Sequence, residues 1–251
     1  FNYHVVGYGG RLVTVPYAND REDLEGLLAA VRRENAPLLY VANPDNPMGT
    51  WWEANEISRL IEGLPETTML VLDEAYGETA PASAIPRLDV SRPNVLRMRT
   101  FSKAYGLAGM RCGYAIGEEE TVRAFDKVRN HFGMCRMTQA AALAALGDKE
   151  HLGKVLREVA EGRERIAAAA TGCGLDALPS ATNFVAVDCG GDGAFAQAVL
   201  QGLIERDVFV RKPAAPVLER CIRVSAGPAA EMDLFAEMLP HALAAARAAG
   251  A

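Results

Sequence analysis

The chain has 251 residues, half of them apolar, with 26 Lys plus Arg against 32 Asp plus Glu and a formal net charge of −6. That is enough apolar material for one large packed domain or two ordinary ones, and the acidic balance argues against a protein that grips a nucleic-acid backbone, which needs a basic face. No apolar run reaches the ~18–20 residues of a membrane span; the cysteines (Cys112, Cys135, Cys173, Cys189, Cys221) are scattered and odd in number, and the histidines are dispersed, so neither a disulfide framework nor a metal motif is expected and a reducing cytoplasm fits.

Val13–Tyr17 is rich in strand formers and runs into Asn19-Asp20, good helix caps. Leu24, Leu27, Leu28 and Val31 follow at the spacing of one buried helical stripe, and Ile57, Leu60, Ile61 and Leu64 repeat it up to Pro65. Between and after them stand two short, wholly apolar runs, Leu38–Ala42 and Met69–Leu72. Strands of this kind, separated by helices, predict a parallel sheet covered on both faces. Asn94–Phe101 and Arg111–Gly117 extend it, giving a doubly wound, mostly parallel α/β unit.

Helical spacing predicts helices over Glu118–Arg129, Thr138–Leu146 and His151–Ala170, the last stopped by Gly172 and Gly174. Then come a strand (Asn183–Asp188), a helix (Ala194–Arg206), two strands (Val208–Lys212 and Cys221–Ser225) and a helix (Glu231–Ala249) that Pro240 should kink or divide. This is a small α+β unit. The expected division is residues 1–149 and 150–251, without a linker between.

In an open parallel sheet, ligands bind beyond the carboxyl ends of the strands. Polar residues gather at such ends here: Asn43–Gly49 after the first apolar run, Asp73-Glu74-Ala75-Tyr76 after the second, Thr100-Phe101-Ser102-Lys103 after the third, and Arg111 at the return. Singly, each reads as a turn, a cap or a solvated charge. Together they suggest amine chemistry. A lysine can condense with a carbonyl, and an aspartate emerging from an apolar strand needs a cationic partner. Thr100, Ser102 and Arg111 suit a phosphate, and Asn46 and Tyr76 suit a phenolate oxygen. Pyridoxal phosphate needs all of these groups at once.

The segment Arg99-Thr100-Phe101-Ser102-Lys103-Ala104-Tyr105-Gly106-Leu107-Ala108-Gly109-Met110-Arg111-Cys112-Gly113, with its Arg eight residues after the Lys, resembles the class I/II (fold-type I) pyridoxal-phosphate aminotransferases, closest to the histidinol-phosphate aminotransferase group. The resemblance runs from Tyr3 onward. It implies that Lys103 is the Schiff-base lysine, that Asp73 pairs with the pyridine nitrogen, that Asn46 and Tyr76 bind the ring hydroxyl, and that Thr100, Ser102 and Arg111 bind the phosphate. Arg223, in Cys221–Gly227, matches the arginine that holds the substrate's anion, and Arg211 matches a second one that can reach a substrate phosphate. Asn130–Arg136, including His131, departs from the pattern of the histidinol-phosphate group.

The implied reaction moves an amino group from an amino donor to a 2-oxo acid, with Lys103 as the base that shifts the proton. The resemblance also implies a cytoplasmic homodimer, with no role for nucleic acid, membrane or metal. The family pattern that precedes Tyr3 includes an arm, a first strand, a Gly-rich helix start and a ring-stacking aromatic. Without that helix N-terminus, a principal anion site, an open sheet and an incomplete pocket are expected. A decarboxylase on the same scaffold and a non-catalytic binding module are the alternatives.

Overall fold

The computed structural model describes residues 2–213 and 218–250. After a short first helix, α1 (Asn2–Gly7), the chain passes through turns and irregular backbone to α2 (Leu24–Glu34), β1 (Leu38–Ala42), α3 (Ala54–Gly63), β2 (Met69–Asp73), β3 (Val95–Thr100) and β4 (Gly113–Ile116). The strands form one sheet in the order β1-β2-β3-β4. The first three are parallel and β4 returns antiparallel, pairing Thr100 with Gly113.

Helix α2 starts where the Asp23 carboxylate accepts the Gly26 amide, and it ends at Asn35 in the left-handed region. A reciprocal capping box, Glu53 with Glu56, opens α3. The apolar stripes of both helices, Leu24, Val31, Ile57 and Leu60, close over Leu39, Val41, Leu70, Leu72 and Val95. These strand residues share one face because side chains alternate along a strand. The opposite face, with Tyr40, Ala42, Val71, Asp73, Met98 and Thr100, remains half-exposed, so the expected double cover is present on one side of the described residues.

A second, antiparallel sheet follows, β5 (Asp176–Ala177), β6 (Phe184–Asp188) and β7 (Cys221–Ser225), in that order. Helices α6 (Lys149–Gly172), α7 (Gly193–Ile204) and α8 (Ala229–Ala248) pack on it around Ile166, Val187, Leu203, Ile222, Phe235 and Leu239. Helix α5 (Arg136–Gly147) precedes them. At Gly202 a Cβ would stand 3.1 Å from the Ala242 Cα, so α7 meets α8 where no side chain intervenes.

Four sequence expectations change. Val13–Tyr17 forms no strand, and only an isolated bridge, Ala18 to Arg21, follows it. The helix expected over Glu118–Arg129 divides into α4 (Glu119–Arg123) and a 3-10 turn, Ala124–Lys127, because none of these residues is buried and no packing holds the periodic pattern. Val208–Lys212 keeps the alternation of a strand, with Val208 and Val210 inside and Phe209 88% exposed, but only Arg211 pairs, with Arg223. Pro213, just beyond, has no amide to continue the ladder. Pro240 does not interrupt α8: it lies on the exposed side, where the carbonyl it leaves without a donor can meet water, while Met232, Phe235, Leu239 and Leu243 hold the buried side.

Loops from the first sheet meet the second unit directly. The Thr79 hydroxyl donates to the Ala181 carbonyl (2.7 Å), the Ala181 amide donates to the Gly49 carbonyl (2.8 Å), and the Arg163 guanidinium reaches the carbonyls of Thr79 and Thr182. Gly49 has φ +86°, and a Cβ there would sit 2.5 Å from Ser180 Oγ, so both backbone and space require glycine.

Candidate active site

Because β1, β2 and β3 are parallel, their carboxyl ends deliver three loops to one edge of the sheet. Asp73 ends β2. Its Oδ2 accepts the Tyr40 hydroxyl at 2.6 Å and its Oδ1 accepts the Ala75 amide at 2.9 Å, so both oxygens are held. The turn that follows buries Tyr76, whose ring meets Phe184 edge-on with centroids 5.6 Å apart. Lys103 arrives from the loop after β3, its Nζ 5.0 Å from the Tyr76 ring centroid. That loop is pinned by the Phe101 amide on the Cys112 carbonyl and the Leu107 amide on the Phe101 carbonyl, and Gly106 at φ +69° closes the turn on the Lys103 carbonyl.

Arg223 comes from β7 in the second unit. Its guanidinium lies 4.6 Å above the Phe184 ring, and Nη1 donates to Asn46 Oδ1 at 2.6 Å. Burial lowers its pKa, Tyr76 opposes that shift electrostatically, and Arg211 adds to it. Asn46, Arg223, Phe184, Tyr76 and Lys103 therefore form a continuous chain of contacts across both units. Asn46, expected at a ring hydroxyl, accepts the Arg223 guanidinium on its Oδ1. Arg211 is brought beside Arg223 by its bridge, with its own side chain exposed.

Thr100 and Ser102 form a paired hydroxyl corner: their oxygens are 2.9 Å apart, and the Ser102 amide donates to Thr100 Oγ1. Arg111 sits at φ +52°, rare for a residue with a side chain. It is exposed, and its Nη1 donates to the Ala108 carbonyl of its own loop, at 2.9 Å. His131 and Arg136 are exposed, and Arg136 opens α5.

Beside Asp73 lies a group the sequence reading did not single out. The Tyr17 hydroxyl donates to Asp45 Oδ2 at 2.9 Å, and the Glu22 carboxylate accepts the Ala42 amide at the end of β1. Burial, then the neighbouring Asp45, pushes the Glu22 carboxyl well above the usual range, and burial raises Asp45 to about 6. Tyr40 had a sequence signal: it stands two residues before Ala42 on a strand and so faces the same side. Phe184 had none, because its partners lie far away in the chain.

An amine, a doubly held carboxylate and a hydroxyl corner at one sheet edge, joined through Asn46 and the Tyr76–Phe184 pair to a half-buried guanidinium, suit a small anionic carbonyl compound with a basic ring. The chain matches the family of class I and II aminotransferases over residues 2–239. It belongs to that family. The histidinol-phosphate aminotransferase 2 of Pseudomonas fluorescens is 38% identical over 239 residues, covering 94% of this chain and 64% of that protein. A crystal structure of histidinol-phosphate aminotransferase from Sinorhizobium meliloti in complex with pyridoxal-5'-phosphate superposes with a TM-score of 0.95 and 59% identity, over 97% of this chain and 67% of that one. An L-threonine-O-3-phosphate decarboxylase from Porphyromonas gingivalis, 21% identical over 97% of this chain and 73% of its own with a TM-score of 0.78, shares the fold. The chain spans just under two thirds of the length of the curated relatives it matches. Among the described residues, no helix is long and apolar enough to cross a membrane, and no cluster of His, Cys, Asp or Glu could hold a metal ion.

Proposed function

We propose that this chain carries the catalytic site of a pyridoxal-phosphate-dependent aminotransferase acting on an amino donor with an anionic group, such as a histidinol-phosphate-like amine or an amino acid, and on a 2-oxo acid. The observation that carries the reading is the convergence of Lys103 and Arg223 from separate units onto the Tyr76–Phe184 pair. A reactive amine and an anion holder then flank one space. The side chains fit the cofactor: the held Asp73 carboxylate suits a protonated ring nitrogen, and the Thr100–Ser102 corner with Arg111 suits a phosphate.

When bound, pyridoxal phosphate supplies a carbonyl for amine exchange and a ring that withdraws electrons. Lys103 would supply the amine that meets that carbonyl and, once free, would carry the proton to and from the substrate Cα. Asp73 would keep the ring nitrogen protonated. Asn46 orients Arg223, whose planar fork grips a carboxylate, or a phosphate in the other half-reaction. Tyr76 lies under the Lys103 amine and can meet the ring hydroxyl, and Arg211 extends the positive region beside Arg223. The same proposal includes a large unit at 1–149, a small unit at 150–251, a homodimeric assembly and a cytoplasmic setting.

Borohydride reduction of the chain mixed with pyridoxal phosphate, followed by peptide mapping, tests this. Irreversible labelling of the Lys103 peptide, lost in Lys103→Ala, is expected. Labelling spread over other lysines would refute it. Incubation with amino donors should yield the oxo acid, whereas carbon dioxide as the product would assign a decarboxylase.

A further inference from the structure

Asp73 is the last residue of β2, and a carboxylate at a strand end with two rotatable bonds has no orientation of its own. Two donors supply one. The Ala75 amide, two residues on, takes Oδ1, and Tyr40, from the neighbouring strand, takes Oδ2. The register explains the reach: Ala42 pairs with Asp73 and Tyr40 with Val71, so Tyr40 stands one pleat below Asp73 on the same face and its long side chain spans the diagonal.

We propose that Tyr40 is a positioning residue, whose hydroxyl, with the Ala75 amide, fixes the plane of the Asp73 carboxylate in the orientation that meets the ring nitrogen. This rests on the pyridoxal-phosphate reading of Asp73.

The surroundings leave this task to Tyr40. The titratable groups facing it are Asp73 from β2, Glu22 from the segment before α2 and Asp45 from the loop after β1. All three are carboxyls, and the nearby phenol of Tyr17 is engaged by Asp45. Burial, reinforced by the bond to Asp73, raises the Tyr40 phenol well above its ordinary range. It stays protonated, and so remains a donor, at any pH at which the protein works. A phenol that lost its proton would repel Asp73 instead of holding it. Without the Tyr40 hydroxyl, Oδ2 would keep no hydrogen-bond donor among the described residues.

The test compares Tyr40→Phe with Tyr17→Phe, which removes the same kind of phenol–carboxylate bond one carboxyl away. Two quantities are read: the dissociation constant of pyridoxal phosphate, and the pH midpoint of the visible absorbance of the bound cofactor. Loss of a hydrogen bond to a charged group predicts about tenfold weaker retention in Tyr40→Phe. It also predicts an upward shift of the midpoint, because a ring nitrogen held less firmly in its protonated form repels a second proton less. Tyr17→Phe should leave both unchanged. If Tyr40→Phe matches the parent chain, or if both variants lose binding equally, the positioning role is overturned while the cofactor reading stands. If the parent chain shows no binding that depends on Lys103, the cofactor reading fails and takes this role with it.

Discussion

Arg223 shares its two ends between an aromatic face and an amide oxygen, which leaves the rest of its guanidinium fork free for an incoming anion. A lysine could keep the charge but not the fork, so Arg223→Lys is expected to raise KM for the anionic substrate roughly tenfold or more with a smaller change in kcat, measured by steady-state kinetics. The carboxyl of Asp45 sits behind the site with its pKa pushed up to about 6 by burial, against the opposing bond from Tyr17. A carboxyl raised on folding binds more protons in the folded chain than in the unfolded one. Its contribution to stability is therefore full at low pH and is lost as pH rises through about 6. Glu22 is shifted in the same direction. Between pH 7.5 and 5.5, urea unfolding should show Asp45 adding about 1 kcal/mol of stability on acidification, and Asp45→Asn should remove that increment. Lys103 and Asp73 drew attention in the sequence because their residue types stand at or just beyond strand ends, whereas Arg223, in the middle of β7, was singled out by the family resemblance. Tyr40 had only its place on the same strand face as Ala42 to mark it, and a tyrosine inside an apolar strand reads equally well as packing.

Among elements, the β1-α3-β2 stretch was legible because both signals agree there: helical stripes at 3.6-residue spacing, and strands apolar on both faces within the sheet. Ile57 is fully buried between α3 and the strands, so Ile57→Ala is expected to cost about 2–5 kcal/mol in denaturant melts. Where the outcome departed from the pattern, tertiary contact decided it. The spacing over Glu118–Arg129 had no surface to bury against, and the alternation of Val208–Lys212 had one pairing partner for its backbone. In α8, the apolar contacts on its buried side outweigh the hydrogen bond missing at Pro240.

Over the whole molecule, the site depends on a junction that no local pattern announces. Asn46 lies 177 residues from Arg223 in sequence, and Thr79 lies 102 from Ala181, yet these pairs join the two sheets beside the proposed cofactor position. Arg163 binds carbonyls of both units, and its guanidinium is partly desolvated. Arg163→Ala should cost about 1–3 kcal/mol and, by loosening the meeting of Arg223 with the first sheet, weaken substrate binding more than cofactor retention; equilibrium binding of each ligand to the variant checks this. The most direct measurement of the central claim is a crystal structure of the chain with pyridoxal phosphate. The account predicts continuous density from Lys103 Nζ to the cofactor's aldehyde carbon, with an Asp73 carboxylate oxygen within hydrogen-bonding distance of the ring nitrogen. A cofactor joined to another lysine, or one whose ring nitrogen faces away from Asp73, would contradict it.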